Sequence, residues 1–168
     1  MSKANICIIG LSKLFTDDVG KQLSIKMDMF YANVQEIIEF EIMDMDRMEE
    51  VCGADYLIKQ ERTIIKRLCT YDNTIINIDY SNLNNETTLD IVQENCLVIY
   101  LKLNEKRYLK ELDIDNVSAN EKALCKDVFR DRDFLCEKLA DIVVNCEDYT
   151  AKDLIDIIIE NILKFYTN

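Results

Sequence analysis

The chain has no histidine, no proline and only three glycines among its 168 residues. Without histidine there is no usual general base and no Ser-His or Cys-His arrangement, so any catalysis would fall to carboxylates, Lys, Tyr or Cys. Without proline, and with no low-complexity stretch or repeat, nothing marks a linker, and residues 1–168 read as a single domain long enough to bury a core. There is no C-x-x-C among the seven cysteines (Cys7, Cys52, Cys69, Cys96, Cys125, Cys136, Cys146), which are odd in number and widely spaced. Most adjoin apolar residues, so they read as small core hydrophobes in a reducing compartment and not as a zinc site.

Long apolar runs are also missing. Stretches such as Ile155-Asp156-Ile157-Ile158-Ile159 are short and broken by charge. None is long enough for a bilayer span or placed as a signal segment, and the expectation is a soluble, cytoplasmic protein. Basic charge is scarce: the net charge is −12. That argues against nucleic acid and, more weakly, against polyanionic ligands. The nearest basic run, Lys106, Arg107 and Lys110, reads as a solvated helix face.

What the sequence does contain is alternation. Asn5 to Ile9 is a short apolar run ending at Gly10, the pattern of a buried parallel strand. The spacing predicts a helix over Asp17 to Met27, with Val19, Leu23 and Met27 on one face, then a short strand over Met29 to Ala32. Helices follow over Val34 to Met48 and Tyr56 to Cys69, the second with Leu57, Ile64, Ile65 and Leu68 in register. Further strands are predicted over Thr74 to Ile78, Cys96 to Leu101 and Asp141 to Val144. Between and after them come helices over Thr87 to Glu94, Glu105 to Leu112 and Glu121 to Leu139. Thr150-x-x-Asp153 has the form of a capping box and opens a last helix carrying Leu154, Ile158, Ile162 and Phe165. Strand–helix alternation implies a parallel sheet covered on both faces, a three-layer α/β/α architecture. Ligands in such sheets bind at the carboxyl ends of strands.

The segment Arg132-Asp133-Phe134-Leu135-Cys136-Glu137-Lys138-Leu139-Ala140-Asp141-Ile142-Val143-Val144 resembles the shikimate kinase pattern R-x-P-L-Y-x-x-x-A-D-x-x-V, with Phe134 and Cys136 departing from it. Gly53 to Leu68 is similar to that family's G-E-x-x-F-R-x-x-E helix, keeping Gly53 and Glu61 but carrying Leu57 and Ile58 for Phe-Arg. The order of elements and the length agree over essentially the whole chain. The resemblance implies a P-loop-type α/β fold, a substrate-binding-type helical region near residues 34–72 and a lid near 112–125.

The family's phosphate loop is G-x-x-x-x-G-K-[ST]. It needs glycine so that backbone N–H groups close on phosphate, lysine for charge, and a hydroxyl for Mg²⁺. Without a gap, Gly10 takes the first glycine, and Phe15, Thr16 and Asp17 stand where Gly, Lys and Ser or Thr belong. On this register Thr16 and Asp17 read as a plain helix cap, with Asp17 and Asp18 supplying acid at the helix N-terminus. The family's D-x-D is matched by Asn33-Val34-Gln35, which lacks the charge a hard dication requires. Its G-G-G loop falls near Asp79-Tyr80-Ser81, where Asp79 is a replacement base or, more ordinarily, the start of a turn. Its lid arginine falls in the acidic run Leu112-Asp113-Ile114-Asp115-Asn116. The family's carboxylate-binding arginine carries over onto Arg132, for which a structural salt bridge to Asp131 or Asp133 is the competing reading. Ile58 replaces the second such arginine, with Lys59 one residue away.

The expectation is a shikimate-kinase-like protein that is catalytically inactive, uses neither ATP nor a metal, and acts through binding. Its partner would be another protein, a second copy or a small carboxylic acid. The alternative is a divergent small-molecule kinase taking ATP and Mg²⁺, with Asp79 as base and Lys13 reaching the phosphates. A thiol enzyme using Cys52 or Cys136 is a third reading, and no residue in the sequence activates either thiol.

Overall fold

Five apolar runs pair into one sheet in the computed structural model, which describes residues 3–42, 44–83, 86–112, 118–147 and 149–167. The strands are β1 (Asn5–Gly10), β2 (Phe30–Asn33), β3 (Thr74–Asp79), β4 (Cys96–Lys102) and β5 (Ile142–Asn145). They lie in the order β2-β3-β1-β4-β5, and every neighbouring pair is parallel. The helices are α1 (Lys13–Met27), α2 (Val34–Glu41), α3 (Met45–Cys52), α4 (Ala54–Leu68), α5 (Glu86–Asn95), α6 (Glu105–Glu111), α7 (Ala119–Leu139) and α8 (Ala151–Thr167).

The period-two geometry of a strand sends alternate residues to opposite layers. Cys7 and Ile9 of β1 join Ile76 and Ile78 of β3, and Cys96, Val98 and Tyr100 of β4, under α2, α4, α5 and α7. Ile6 and Ile8 face the other way with Ile75, Leu97 and Ile99, under α1 and α8. Both faces of the three central strands are buried, which is why these runs are apolar without alternation. The three-layer α/β/α architecture expected from the sequence is the one observed.

Several boundaries differ from the sequence expectation. The stretch from Val34 to Met48 is two helices, α2 and α3, and not one. Asn33 caps the first, accepting from the Glu36 N–H, and Asp44 caps the second, accepting from Arg47. An internal cap ends the continuity that spacing alone suggests. At the end of the chain Leu154, Ile158 and Ile162 are buried as expected. Phe165 is exposed, set edge-on against Tyr166. The Thr150/Asp153 box forms, Asp153 Oδ2 accepting from the Thr150 N–H and hydroxyl at 3.0 and 2.6 Å. Among the described residues no helix is long and apolar enough to cross a membrane.

Candidate functional site

The largest correction lies at the loop after β1. The helix does not begin at Asp17; it begins at Lys13. Ser12 is its N-cap: the Phe15 N–H reaches Ser12 Oγ at 3.4 Å, and the Thr16 N–H donates to the Ser12 carbonyl at 3.0 Å. Thr16 and Asp17 are therefore not caps, and the first turn contains no acidic residue. Of the residues aligned with a phosphate loop, Lys13 to Asp17 are wound into helix, and the N–H groups of Phe15 and Thr16 already have acceptors.

Thr16 is buried, and its hydroxyl donates back to the Ser12 carbonyl at 3.0 Å. Its methyl packs on Gly10, where an added Cβ would lie 2.5 Å from Thr16 Cγ2 and 3.3 Å from the Leu101 carbonyl. Phe15 turns to the other side. The Arg107 guanidinium sits 4.4 Å from its ring centroid, a cation–π distance. Arg107 also donates to the carbonyls of Cys146, at 2.5 Å, and Tyr149, at 3.2 Å. It thus ties α1 and α6 to the segment after β5. The solvated-face reading of Arg107 does not hold for its guanidinium; a lone basic residue carries no sequence signal for such a long-range bond.

Asp17 lies in the second turn and faces the end of β2. Its Oδ1 accepts from the Tyr31 hydroxyl and from Asn33 Nδ2, both at 2.8 Å, and its Oδ2 pairs with Lys21 at 2.6 Å. Burial pulls its carboxyl up, but the hydrogen bonds from Lys21, Asn33 and Tyr31 outweigh that and hold it below the ordinary aspartate value. Burial, and then the bond to Asp17, push the Tyr31 phenol far above its usual range. Gly20 makes the contact feasible, because a Cβ there would meet Tyr31 Cε2 at 2.5 Å. Asn33 thereby serves twice, capping α2 with its oxygen and donating to Asp17 with its nitrogen. Gln35, its partner in the expected D-x-D position, bonds Glu39 one turn on.

At the end of β3, Asp79 starts a turn, as the plainer reading of that residue had it. Its Oδ1 accepts from the Ser81 N–H at 2.9 Å and the Ser81 hydroxyl at 2.6 Å. Its Oδ2 is 3.3 Å from Lys13 Nζ. The two residues that a divergent kinase would need are therefore paired with each other. Lys13, Thr16, Asp17, Asn33, Asn77 and Asp79 enclose a cavity of about 160 Å³ at the carboxyl ends of β1, β2 and β3.

Arg132 is half-buried on α7. Its guanidinium lies 4.8 Å from the Tyr80 ring centroid. The expected salt bridge does not form: Asp133 turns inward, accepting from the Tyr100 hydroxyl at 2.7 Å and lying 3.3 Å from Lys102 Nζ. Arg132 lines a cleft of about 680 Å³ with Leu11, Phe15, Tyr108 and Leu112. Ile58 and Lys59 are exposed on α4. Burial raises the carboxyl of the matched Glu61, a bond with Asn82 opposing it. Cys52 is exposed, while burial pushes Cys136 up to about 12, so neither position acquires an activating base. Of the lid run, residues 113–117 lie outside the described residues. Among the described residues no cluster of three metal-ligating side chains occurs.

A parallel sheet in the order 2-3-1-4-5, with its polar residues gathered where β1 and β3 end, defines a P-loop-type α/β protein. The family model for shikimate kinase matches residues 17–163, and the chain belongs to the shikimate kinase family. Shikimate kinase 1 of Salmonella newport is 23% identical over 157 residues, covering 89% of this chain and 91% of the relative. The crystal structure of shikimate kinase from Aquifex aeolicus superposes with a TM-score of 0.80 at 19% identity, over 98% of this chain and 99% of the other. Shikimate kinase from Acinetobacter baumannii in complex with shikimate gives 0.78 at 17% identity, over 97% and 94%.

Proposed function

We propose that this member of the shikimate kinase family does not transfer phosphate and acts as a binding protein. One observation carries the reading: the stretch Lys13 to Asp17 is a capped helical turn, with Thr16 packed on Gly10. Phosphate binding of the ordinary kind uses free loop N–H groups, a lysine and a hydroxyl. Here the Phe15 N–H is taken by the Ser12 cap hydroxyl and the Thr16 N–H by the Ser12 carbonyl, Thr16 brings no charge, and Asp17 brings the wrong one. ATP and Mg²⁺ do not fit this residue set. The cleft beside Arg132 supports a small carboxylic acid as ligand, the guanidinium meeting the carboxylate and Leu11, Phe15 and Tyr108 the carbon frame. A partner protein or a second copy would act through the same surface.

The test is thermal unfolding of the full chain against Mg·ATP, run beside an assay for ATP-dependent phosphorylation of shikimate. A ligand at a hundredfold its Kd stabilises by about 2.7 kcal/mol. The expected result is no shift and no product. A clear upward shift, or turnover abolished by Asp79→Asn, would establish the divergent kinase in its place.

A further inference from the structure

Four of the seven cysteines lie in one core layer, and two of them touch. Cys69 Sγ and Cys96 Sγ are 3.8 Å apart in the buried core, from residues 27 positions apart. Cys69 follows the last turn of α4, and Cys96 is the first residue of β4, directly after α5. Both sit at element ends at the amino-terminal edge of the sheet, opposite to the site described above. A thiol in mid-strand is held by ladder bonds on both sides; a thiol at an element end can move with the adjoining turn.

We infer that Cys69 and Cys96 form a redox-active dithiol that closes to an intramolecular disulfide when the folded protein meets a peroxide. The required movement is from 3.8 Å to the ~2.05 Å of an S–S bond. The turn Thr70 to Asn73, which directly follows Cys69, is exposed. It is fastened by Asn5, whose Nδ2 donates to the carbonyls of Cys69 and Tyr71 and whose Oδ1 accepts from the Thr74 N–H. A surface groove lined by Phe30, Leu68, Thr70 and Tyr71, the sequence neighbours of Cys69 among them, runs beside this turn.

The contact between the two sulfurs lowers Cys69, against its burial, and together with burial raises Cys96. Cys69, beside the exposed turn and the less buried of the two, is the sulfur that meets the peroxide. Its sulfur takes one oxygen from hydrogen peroxide, giving the sulfenic acid and hydroxide. The Cys96 sulfur then displaces that oxygen, and its proton leaves with it as water. Two thiols lose two electrons and two protons, and the peroxide becomes two waters. Cys7 lies in the same layer and is pushed up by burial, and then by Cys69 and Cys136, which disfavours its thiolate as a competitor. Cys52 is exposed and reacts without a neighbouring thiol.

The experiment treats the folded full-length chain with hydrogen peroxide, blocks remaining thiols with N-ethylmaleimide under denaturing conditions, and maps the peptides by mass spectrometry. The expected product is a Cys69–Cys96 linked peptide, two hydrogens lighter than the reduced pair and restored by dithiothreitol, with a raised Tm. Cys96→Ala and, separately, Cys69→Ala remove both the peptide and the Tm rise, while Cys52→Ala leaves both. If wild-type Cys69 and Cys96 are recovered fully alkylated while Cys52 is oxidised, or if Cys7 holds the link in their place, the inference is wrong.

Discussion

Gly10 and Thr16 stand so close that a Cβ on residue 10 would lie 2.5 Å from the Thr16 methyl. The strand end and the first turn of α1 are thus one packed unit. Gly10→Ala forces either strand or helix to shift, and overpacking of this kind costs about 1–3 kcal/mol. Thr16→Ser keeps the hydroxyl bond and removes the methyl. Combined with Gly10→Ala it should recover part of the loss, so a urea-unfolding double-mutant cycle reads a favourable coupling. Strict additivity would show that the contact is not what limits residue 10.

Asp17 is held below its usual pKa by Lys21, Asn33 and Tyr31. A native carboxylate of lowered pKa contributes stability that is fully present above the unfolded value, about 3.9, and is lost as pH falls through the folded value. Asp17→Asn should therefore destabilise at neutral pH by roughly 1–2 kcal/mol and flatten the acid limb of the stability curve below about pH 4. Equal slopes for wild type and variant on that limb would rule the linkage out.

Tyr31 and Tyr100 predict the behaviour in alkali. Burial, and a carboxylate acceptor on each, raise both phenols far above the ordinary range. Above about pH 10 the unfolded chain releases protons that the folded chain keeps, so stability falls as pH rises. Tyr100→Phe should reduce that fall. At neutral pH it should cost about 1–3 kcal/mol through the lost bond to Asp133, which then relies on Lys102 alone. Denaturant midpoints at pH 7 and pH 10.5 (about half a unit above the ordinary tyrosine value) measure both effects.

Arg107 is the staple between α6, Phe15 and the segment after β5. Arg107→Ala should lower stability by about 1–2 kcal/mol, and Arg107→Lys should rescue little, since one ammonium does not reproduce a flat, multiply donating group. Hydrogen exchange should quicken locally around Cys146 to Tyr149, with the centre of β1 unchanged. Uniform quickening would mean a global loss and no specific staple.

Much of the fold was legible because its signals are local. The runs Asn5 to Ile9 and Cys96 to Leu101 are apolar without alternation since both sheet faces are covered, and Thr150/Asp153 announces α8 through a box only four residues long. The start of α1 was missed although its signal was present. Stepping back from Val19 by three and four residues reaches Thr16 and Phe15, both of which pack, and Ser12 stands where a cap should. The face of Val19, Leu23 and Met27 by itself carries the pattern back no further than Asp17. The bonds that organise the site could not be read at all. Tyr31 to Asp17, Arg107 to Cys146 and Tyr100 to Asp133 span 14, 39 and 33 positions, and no spacing rule connects them.

The turn capped by Ser12 also bears on what this lineage can become. The N–H groups of Phe15 and Thr16 are spent inside the helix, and the space by Gly10 is filled. A longer side chain at position 16 would have to give up the close approach that the Thr16 methyl makes to Gly10. Loss of the Ser12 hydroxyl would strip a helix terminus while creating nothing to offset it. The strand end, the cap and the first turn of α1 are therefore coupled, and a replacement at any one of them is felt at the other two.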